Sequence, residues 1–179
     1  MSKTTFAERT EKHKLKMLYE VKQLEIFFKN TFNLDLYLIY GTLLGAVRDK
    51  DFIPFDTDID LAYFSKCNNS FLMRKEFLHI CDVLKDKNLF KRARGYKHID
   101  CGAISDKFYF DIWSSYIENN VFYLAPFKQV FKSDTFIPLK EINFKGTLFK
   151  IPNNPEIFLE AFYKSWKTPI QTDYRKIKY

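Results

Sequence analysis

The sequence predicts a single α+β domain in which helices flank a mixed β-sheet. A chain of 179 residues with 46% hydrophobic residues is long enough to bury one core. Two long segments carry apolar residues at helical spacing, one near the N-terminus and one that ends at about Asp86. Short apolar and aromatic runs lie between and after them, bounded by glycine, asparagine and proline, a pattern typical of strands and hairpins.

The first predicted element is a helix within residues 6–30, which we expect to pack on the sheet as an N-terminal unit of residues 1–30. Its apolar residues recur at spacings of four, three and four: Met17, Val21, Leu24 and Phe28. The main domain is expected to cover residues 31–167, and a polar, basic tail is expected over residues 168–179.

A strand that leads into a helix through a glycine comes next. The run Leu36 to Tyr40 is β-prone, Gly41-Thr42 breaks it, and the residues up to Arg48 can form two helical turns. A glycine at such a junction lets backbone amides approach an anion, and the helix N-terminus adds a favourable dipole. We therefore expect Gly41 and Thr42 to hold a phosphate. Arg48 is either a further phosphate ligand or the ion-pair partner of Asp49 or Asp51.

Three aspartates precede the next apolar run, Leu61 to Phe64. Residues two apart on a strand project from one face with roughly 6.6 Å between their Cα atoms, so Asp58 and Asp60 can converge on one cation. Carboxylate oxygens suit Mg²⁺, with Mn²⁺ as the alternative. Asp56 shares this parity but adjoins a loop, and we interpret it as adjacent to the site. A phosphate site beside a metal site is what phosphoryl transfer requires.

A second helix and three strands follow. The run Asn68-Asn69-Ser70 is expected to cap a helix that ends near Asp86, with an exposed or half-buried His79 on it. Strands are expected at residues 89–94, 99–104 and 108–113, separated by turns at Gly95-Tyr96 and at residues 105–107. The polar residues on these strands are expected on a solvated face, with a phosphate path as the alternative: Arg92, Arg94, Lys97 and His98. The run His98-Ile99-Asp100 matches no metal-binding motif.

One acidic residue, Asp111, interrupts the aromatic strand F-Y-F-D-I-W. Such a carboxylate either faces solvent or is held by a cation, because an unpaired buried charge is costly. Composition alone leaves both alternatives open.

The last third of the chain predicts edge strands, a hairpin and a helix. The aromatic stretch 116–131 is expected to form edge strands or the wall on the acceptor side. Strands at residues 141–144 and 148–151 are joined by the turn Lys145-Gly146-Thr147. A helix starts at Pro155 with Asn154 as its N-cap. Its apolar stripe contains four residues: Phe158, Leu159, Phe162 and Trp166.

Charge and cysteine content restrict the class of protein. The net charge of +7 is spread along the chain, which favours attraction of anionic ligands over a dedicated nucleic-acid surface. Three cysteines without a C-x-x-C pair are expected to be buried free thiols: Cys67, Cys81 and Cys101. We expect no transmembrane segment, no secretory signal and a cytoplasmic location, because no apolar run approaches about 20 residues.

The string G-T-L-L-G-A-V-R at residues 41–48, followed by I-P-F-D-T-D-I-D-L at residues 53–61, resembles the LicD/fukutin family. That family reads G-T-L-L-G-A-x-R and then I-P-W-D-x-D-I-D, so Phe55 stands where tryptophan is usual. The resemblance extends from about Leu36 to Trp166 and implies a nucleotidyltransferase fold. It also implies that Asp111, in the family's D-[IVL]-[FW] element, is a third carboxylate beside Asp58 and Asp60.

The resemblance implies a function as well. Similar proteins move a phosphate-linked group, such as phosphocholine, phosphoethanolamine or a polyol phosphate, from a CDP-linked donor to a sugar hydroxyl of a glycan or glycolipid, and release CMP. Modification of a capsule or lipopolysaccharide, beside other glycan-assembly enzymes, is the corresponding expectation. Asp58, Asp60 and Asp111 would then be catalytic and would bind Mg²⁺, whereas Gly41, Thr42 and Arg48 would bind the donor phosphate.

Two other functions remain open at this point. A true nucleotidyltransferase would attach an NMP to a small molecule, RNA or protein and release pyrophosphate. A non-catalytic nucleic-acid-binding module would use the positive charge, and its affinity would fall with salt. No stacking platform in the sequence favours this last function, and no stable nucleic-acid partner is expected.

Overall fold

The computed structural model describes residues 4–95, 98–103, 108–124 and 130–169. The described residues form a mixed β-sheet with four α-helices, so the predicted α+β class is confirmed. Within this part of the chain, no helix combines the length and apolarity that crossing a membrane would need.

The helices are α1 (Glu11–Phe32), α2 (Tyr40–Leu44), α3 (Ser70–Asp86) and α4 (Pro155–Phe162). A π-helical turn, Gly45–Asp49, continues α2, and a 3₁₀ turn, Phe6–Glu8, precedes α1. Both long helices have side-chain caps: Thr10 Oγ1 accepts from His13 N, and Asn69 Oδ1 accepts from Leu72 N. The predicted cap of the second helix is therefore confirmed.

The strands are β1 (Leu36–Leu38), β2 (Asp60–Phe64), β3 (Phe90–Arg94), β4 (His98–Gly102), β5 (Tyr109–Glu118), β6 (Val121–Leu124), β7 (Val130–Lys132), β8 (Lys140–Phe144) and β9 (Thr147–Ile151). The main sheet has the order β1-β2-β5-β4-β3, and β6 and β7 continue it from β5. Only β2 and β5 are parallel neighbours among the described pairs. The hairpin β8-β9 forms a separate two-stranded sheet, as its turn residues predict.

The two faces of the main sheet are packed differently. Tyr63 of β2 lies against Phe28 of α1, and α3 packs on β3 and β5, so α1 and α3 cover this face. Leu61 and Ile112, which are fully buried, point to the same side because they are register partners. The opposite face carries the alternate residues of β2 and β5. Aromatic side chains cover part of it, and Phe136 stacks on Phe122 with ring centroids 3.7 Å apart.

Several predicted boundaries differ from the structure. The strand predicted for residues 36–40 ends at Leu38, because Tyr40 adopts φ 46° and turns the chain into α2. Tyr40 packs against Trp113, Phe158 and Phe162, and this aromatic packing holds it in a conformation that is uncommon for a non-glycine residue. β5 continues five residues beyond the predicted end at residue 113, because β6 pairs with its second half.

Other predictions concern the thiols and the chain ends. Cys81 and Cys101 are buried free thiols, and burial raises their pKa to about 11 and about 12; Cys67 is half-buried. The aromatic Trp166 is buried but follows α4 instead of lying on it. The turn predicted at residues 105–107, Lys97, and residues 170–179 of the predicted tail lie outside the described residues, and the division into three segments stays a prediction.

Candidate functional site

Strand register brings acidic residues from distant segments together on one face of the sheet. Asp60 of β2 is the register partner of Asp111 of β5, and Asp111 is in turn the partner of Asp100 of β4. Register partners point to the same face, so these three side chains form one row across adjacent strands. The structure thus brings the predicted pair Asp60 and Asp111 together, and it adds Asp100.

Asp60 is held by two hydrogen bonds at the start of β2. Its backbone N donates to Thr42 Oγ1 at 2.9 Å, and its Oδ1 accepts from Trp113 Nε1 at 3.2 Å. Burial raises the pKa of the Asp60 carboxyl well above its usual range, and three neighbouring carboxylates raise it further: Asp56, Asp58 and Asp111. A cation beside this carboxylate, or protonation of the carboxylate itself, is therefore favoured.

Gly41 lies directly against the acidic residues. A Cβ atom on Gly41 would fall within 3.0 Å of Asp56 Oδ2 and at 3.8 Å from Asp60 Oδ2. Asp56 is buried, with its Oδ1 accepting from Thr57 N at 2.9 Å. The structure therefore places Asp56 beside Gly41 and close enough for its charge to act on Asp60. The predicted phosphate contacts of Gly41 and Thr42 stay predictions, and the Thr42 hydroxyl accepts from the backbone of β2.

Asp58 lies before β2, which begins at Asp60. Asp58 is therefore not on the strand, and the prediction that it projects from the same strand face as Asp60 is wrong. The charge of Asp58 still acts on Asp60. The charge of Asp58 also acts on Arg9. Burial lowers the pKa of the Arg9 guanidinium, and the Asp58 carboxylate opposes part of this decrease. Sequence reasoning did not find Arg9. Hydrogen bonds from Phe6 N to Asp56 O and from Arg9 Nη2 to Thr57 O bring it there across the chain.

Arg48 forms an ion pair with its neighbour. Its Nε and Nη2 donate to the two carboxylate oxygens of Asp49 at 2.8 and 2.7 Å, and its Nη1 donates to Trp166 O at 3.2 Å. This is one of the two alternatives that the sequence left open for Arg48. Its predicted role at a phosphate stays a prediction.

A cavity of about 520 Å³ opens beside Gly41. Its described lining comes from residues 41–55 and 163–169 and includes both Arg48 and Trp166. Among the described residues that line the cavity, none belongs to the aromatic stretch 116–131, whose role as the wall on the acceptor side stays a prediction.

The structure places His98 differently from the prediction made from the sequence. It was expected on a solvated strand face, yet its side chain is 2% exposed and its ring lies 4.3 Å from that of Trp113. His98 Nε2 is 3.3 Å from Asp100 Oδ1 and 3.3 Å from Asp111 Oδ1. The sequence contained only one signal for this cluster, the two-residue spacing of His98 and Asp100 on a strand. The register with β5, which local sequence does not encode, brings Asp111 to them.

Residues 33–154 match the family model described as LicD/FKTN/FKRP, nucleotidyltransferase domain. The chain belongs to this family. The match covers β1, α2, the aspartates, β5 and the hairpin, so the resemblance of residues 41–61 is confirmed. Family membership supports a transferase.

Two relatives are similar to this protein over most of the chain. An uncharacterised protein of Rickettsia typhi (strain ATCC VR-144 / Wilmington) is 29% identical over 148 residues, which is 79% of this chain and 43% of that protein. An uncharacterised protein of Rickettsia prowazekii (strain Madrid E) is 26% identical over 149 residues, which is 79% of this chain and 51% of that protein. The chain therefore spans about half the length of these relatives.

Proposed function

We propose that this protein transfers a phosphate-linked group from a CDP-activated donor to a sugar hydroxyl of a glycan and releases CMP. Phosphocholine, phosphoethanolamine and polyol phosphates are the classes of group considered. The observation that carries the proposal is the register of β2 and β5, which sets Asp60 beside Asp111 from segments 51 residues apart in the sequence. Family membership supports the class of reaction.

The acidic cluster has the chemistry of a divalent-cation site. Asp60 is half-buried beside three further carboxylates, and both its loss of hydration and their repulsion oppose its ionisation. A divalent cation relieves this repulsion, and oxygen donors suit Mg²⁺ or Mn²⁺. We assign Asp58, Asp60 and Asp111 as the residues that would hold it, with Asp56 beside them. When bound, the cation supplies charge stabilisation for the donor diphosphate.

The chain's own residues have separate tasks in this reaction. The sugar oxygen forms a bond to the phosphorus that bears the transferred group, and the bond from that phosphorus to the CMP oxygen breaks. The proton of the attacking hydroxyl passes to a carboxylate of the site, and Asp111 either takes this proton or completes the ligands of the cation. Gly41 carries no side chain, so the Asp56 carboxylate lies directly against the start of α2, and we assign the backbone of Gly41 to the donor phosphate. Thr42 fixes the backbone of Asp60 through the 2.9 Å hydrogen bond to its hydroxyl.

The cavity beside Gly41 is assigned to the group attached to the transferred phosphate. Gly41 belongs to both the acidic site and the cavity lining, so a phosphate held there would extend its substituent into the cavity. Arg48 lines the same cavity, and its guanidinium forms an ion pair with Asp49. The aromatic rings of Trp166 and Tyr163 offer an apolar wall for this group.

CMP release tests the proposal. The protein is incubated with Mg²⁺, a mixture of sugar acceptors and one donor at a time: CDP-choline, CDP-ethanolamine or CDP-glycerol. We expect CMP with at least one donor, and a loss of at least about 100-fold in Asp111→Asn and Asp58→Asn. Asp82→Asn is the matched control, because Asp82 is exposed on α3 and forms an ion pair with Lys85 of the next helical turn. Full turnover by a folded Asp111→Asn variant would refute the assignment.

The same assay separates the second candidate, a nucleotidyltransferase. The family description favours this alternative because it names a nucleotidyltransferase domain. With CTP or ATP as donor, that activity would release pyrophosphate instead of CMP. Pyrophosphate release that requires Asp60 and Asp111, with no CMP from any CDP-alcohol, would replace our proposal by this alternative.

A further inference from the structure

His98 is a buried imidazole whose polar atoms are not satisfied. Its side chain is 2% exposed, and neither Nδ1 nor Nε2 has a hydrogen-bond partner among the described residues. A buried polar group without a partner is costly, so such a group in a folded protein requires an explanation. The ring is fixed against Trp113, and Nε2 faces two carboxylates.

The spacing of the three donor atoms matches a coordination sphere. His98 Nε2 is 3.3 Å from Asp100 Oδ1 and from Asp111 Oδ1, and all three ligand atoms lie within 4.8 Å of one another. Donor atoms that bind a tetrahedral ion at about 2.0–2.1 Å stand about 3.3 Å apart. The distances from the imidazole nitrogen to the two carboxylate oxygens therefore match the distance between neighbouring ligand atoms in a tetrahedral site.

A neighbouring arginine fixes the orientation of Asp100. Arg92 Nε and Nη2 donate to Asp100 Oδ2 at 2.7 and 2.6 Å, which leaves Oδ1 directed at His98. A hydrogen bond to the far oxygen of a carboxylate is how proteins orient a metal ligand. The contact between Arg92 and Asp100 is a second observation, independent of the distances among His98, Asp100 and Asp111.

We propose that His98, Asp100 and Asp111 form a binding site for a transition-metal dication such as Zn²⁺ or Mn²⁺. The imidazole donor distinguishes this site from an all-oxygen site at Asp58 and Asp60, because nitrogen ligands favour these ions over Mg²⁺. Asp111 belongs to both sets of ligands. Binding at this site requires no nucleotide donor, so it can be measured whether or not the proposed transferase activity exists.

Pulsed EPR of the protein with Mn²⁺ alone tests the site. A directly bound imidazole gives nitrogen-14 modulation of the Mn²⁺ signal, whereas carboxylates and water do not. The chain has three histidines, so the nitrogen can be assigned by substitution. We expect the modulation in the native protein and in the double variant His13→Asn/His79→Asn, and its loss in His98→Gln. Zn²⁺ is expected to remove the modulation by competition, whereas Mg²⁺ at the same concentration leaves it.

A second variant guards against misfolding of His98→Gln. Asp100→Asn changes a residue whose side chain is 16% exposed, and it should weaken Mn²⁺ or Zn²⁺ binding at least about 10-fold in calorimetry. Asp58→Asn should leave the nitrogen modulation in place, which separates this site from the proposed Mg²⁺ site. Absence of nitrogen modulation from the native protein with Mn²⁺ bound would overturn the proposal, and would leave His98 as a side chain that only packs on Trp113 and contacts Asp100 and Asp111. Unchanged Zn²⁺ affinity in folded Asp100→Asn would overturn it too.

Discussion

Replacing Gly41 by alanine should test whether the start of α2 and the acidic residues are in direct contact. The added methyl group would fall within 3.0 Å of Asp56 Oδ2, a separation that real Cβ atoms essentially never show. The Asp56 carboxylate must therefore move. Its Oδ1 accepts a hydrogen bond from Thr57 N at 2.9 Å and it is buried, so the movement breaks or strains that bond.

The size of the effect follows from two opposing contributions. Loss of a hydrogen bond to a charged group costs about 1.5–3 kcal/mol. Alanine favours the helical conformation over glycine by about 1 kcal/mol, which offsets part of this loss. The net decrease in the free energy of unfolding is therefore about 0.5–2 kcal/mol. For a chain of this length each kcal/mol lowers Tm by about 2–4 °C, so thermal unfolding resolves it.

Turnover should fall much further than stability. A displacement of about 1 Å in an active site can cost about 100-fold in rate, and the Asp56 carboxylate that must move is one whose charge acts on Asp60. CMP release at saturating donor measures this loss. Gly102→Ala is the matched control, because the nearest atom to its Cβ, Leu89 O, is at the ordinary contact distance of 3.4 Å. An unchanged Tm together with native turnover in Gly41→Ala would refute the contact on which the site depends.

Three further predictions concern the core, the charge of the site and the cavity. Phe136→Ala should lower the free energy of unfolding by about 3–5 kcal/mol in urea, because Phe136 is fully buried and stacked on Phe122. Asp60→Asn should stabilise the metal-free protein above neutral pH in thermal unfolding. The folded pKa of Asp60 is raised, so the folded state binds more protons than the unfolded state and loses stability as pH rises through that pKa. Trp166→Ala should raise KM for the donor about 10-fold with little change in kcat, since the cavity wall binds substrate and transition state alike.

Each of these predictions has a matched control. Phe71→Ala should change stability by less than about 0.5 kcal/mol, because Phe71 is 63% exposed. Asp82→Asn should leave the pH dependence unchanged, and an Asp60→Asn variant with native pH dependence would show that burial and the neighbouring acids do not raise the pKa of Asp60. Ile157→Ala on α4, which does not line the cavity, should keep the native KM. Loss of kcat with constant KM in Trp166→Ala would contradict the assignment of the cavity.

Local signals in the sequence predicted the elements but not all of their boundaries. The Asn69 cap and Pro155 at a first helical position predicted two helix starts that the structure contains, because capping depends on neighbouring residues only. Asn154 occupies the predicted cap position, yet its side chain donates to Asp134 O instead of capping the helix. Tyr40 was assigned to a strand by its β propensity, whereas aromatic contacts from α4 and β5 determine its backbone. Tertiary packing overrides propensity at this position.

The candidate site divides in the same way. The family pattern pointed to Asp58, Asp60 and Asp111, and the proximity of Asp60 and Asp111 follows from the pairing of β2 with β5. His98 and Asp100 were set aside because their local sequence matches no motif. Their contact with Asp111 arises from the β4–β5 register, and a shift of one residue would turn both side chains to the other face. Arg9 likewise approaches Asp58 only because the N-terminal segment pairs with residues 54–57.

Trp113 connects the two groups of acidic residues physically. Its Nε1 donates to Asp60 Oδ1, its ring lies against His98, and its edge packs on Tyr40 at the start of α2. One side chain therefore orients a carboxylate of the proposed Mg²⁺ site, shields the imidazole of the proposed transition-metal site and supports the turn that carries Gly41. A half-buried row of carboxylates is unfavourable on its own, because each charge loses part of its hydration and repels the next. The aromatic contacts around Trp113 keep these groups in place despite that cost, so the two proposed cation sites would be formed before any donor binds.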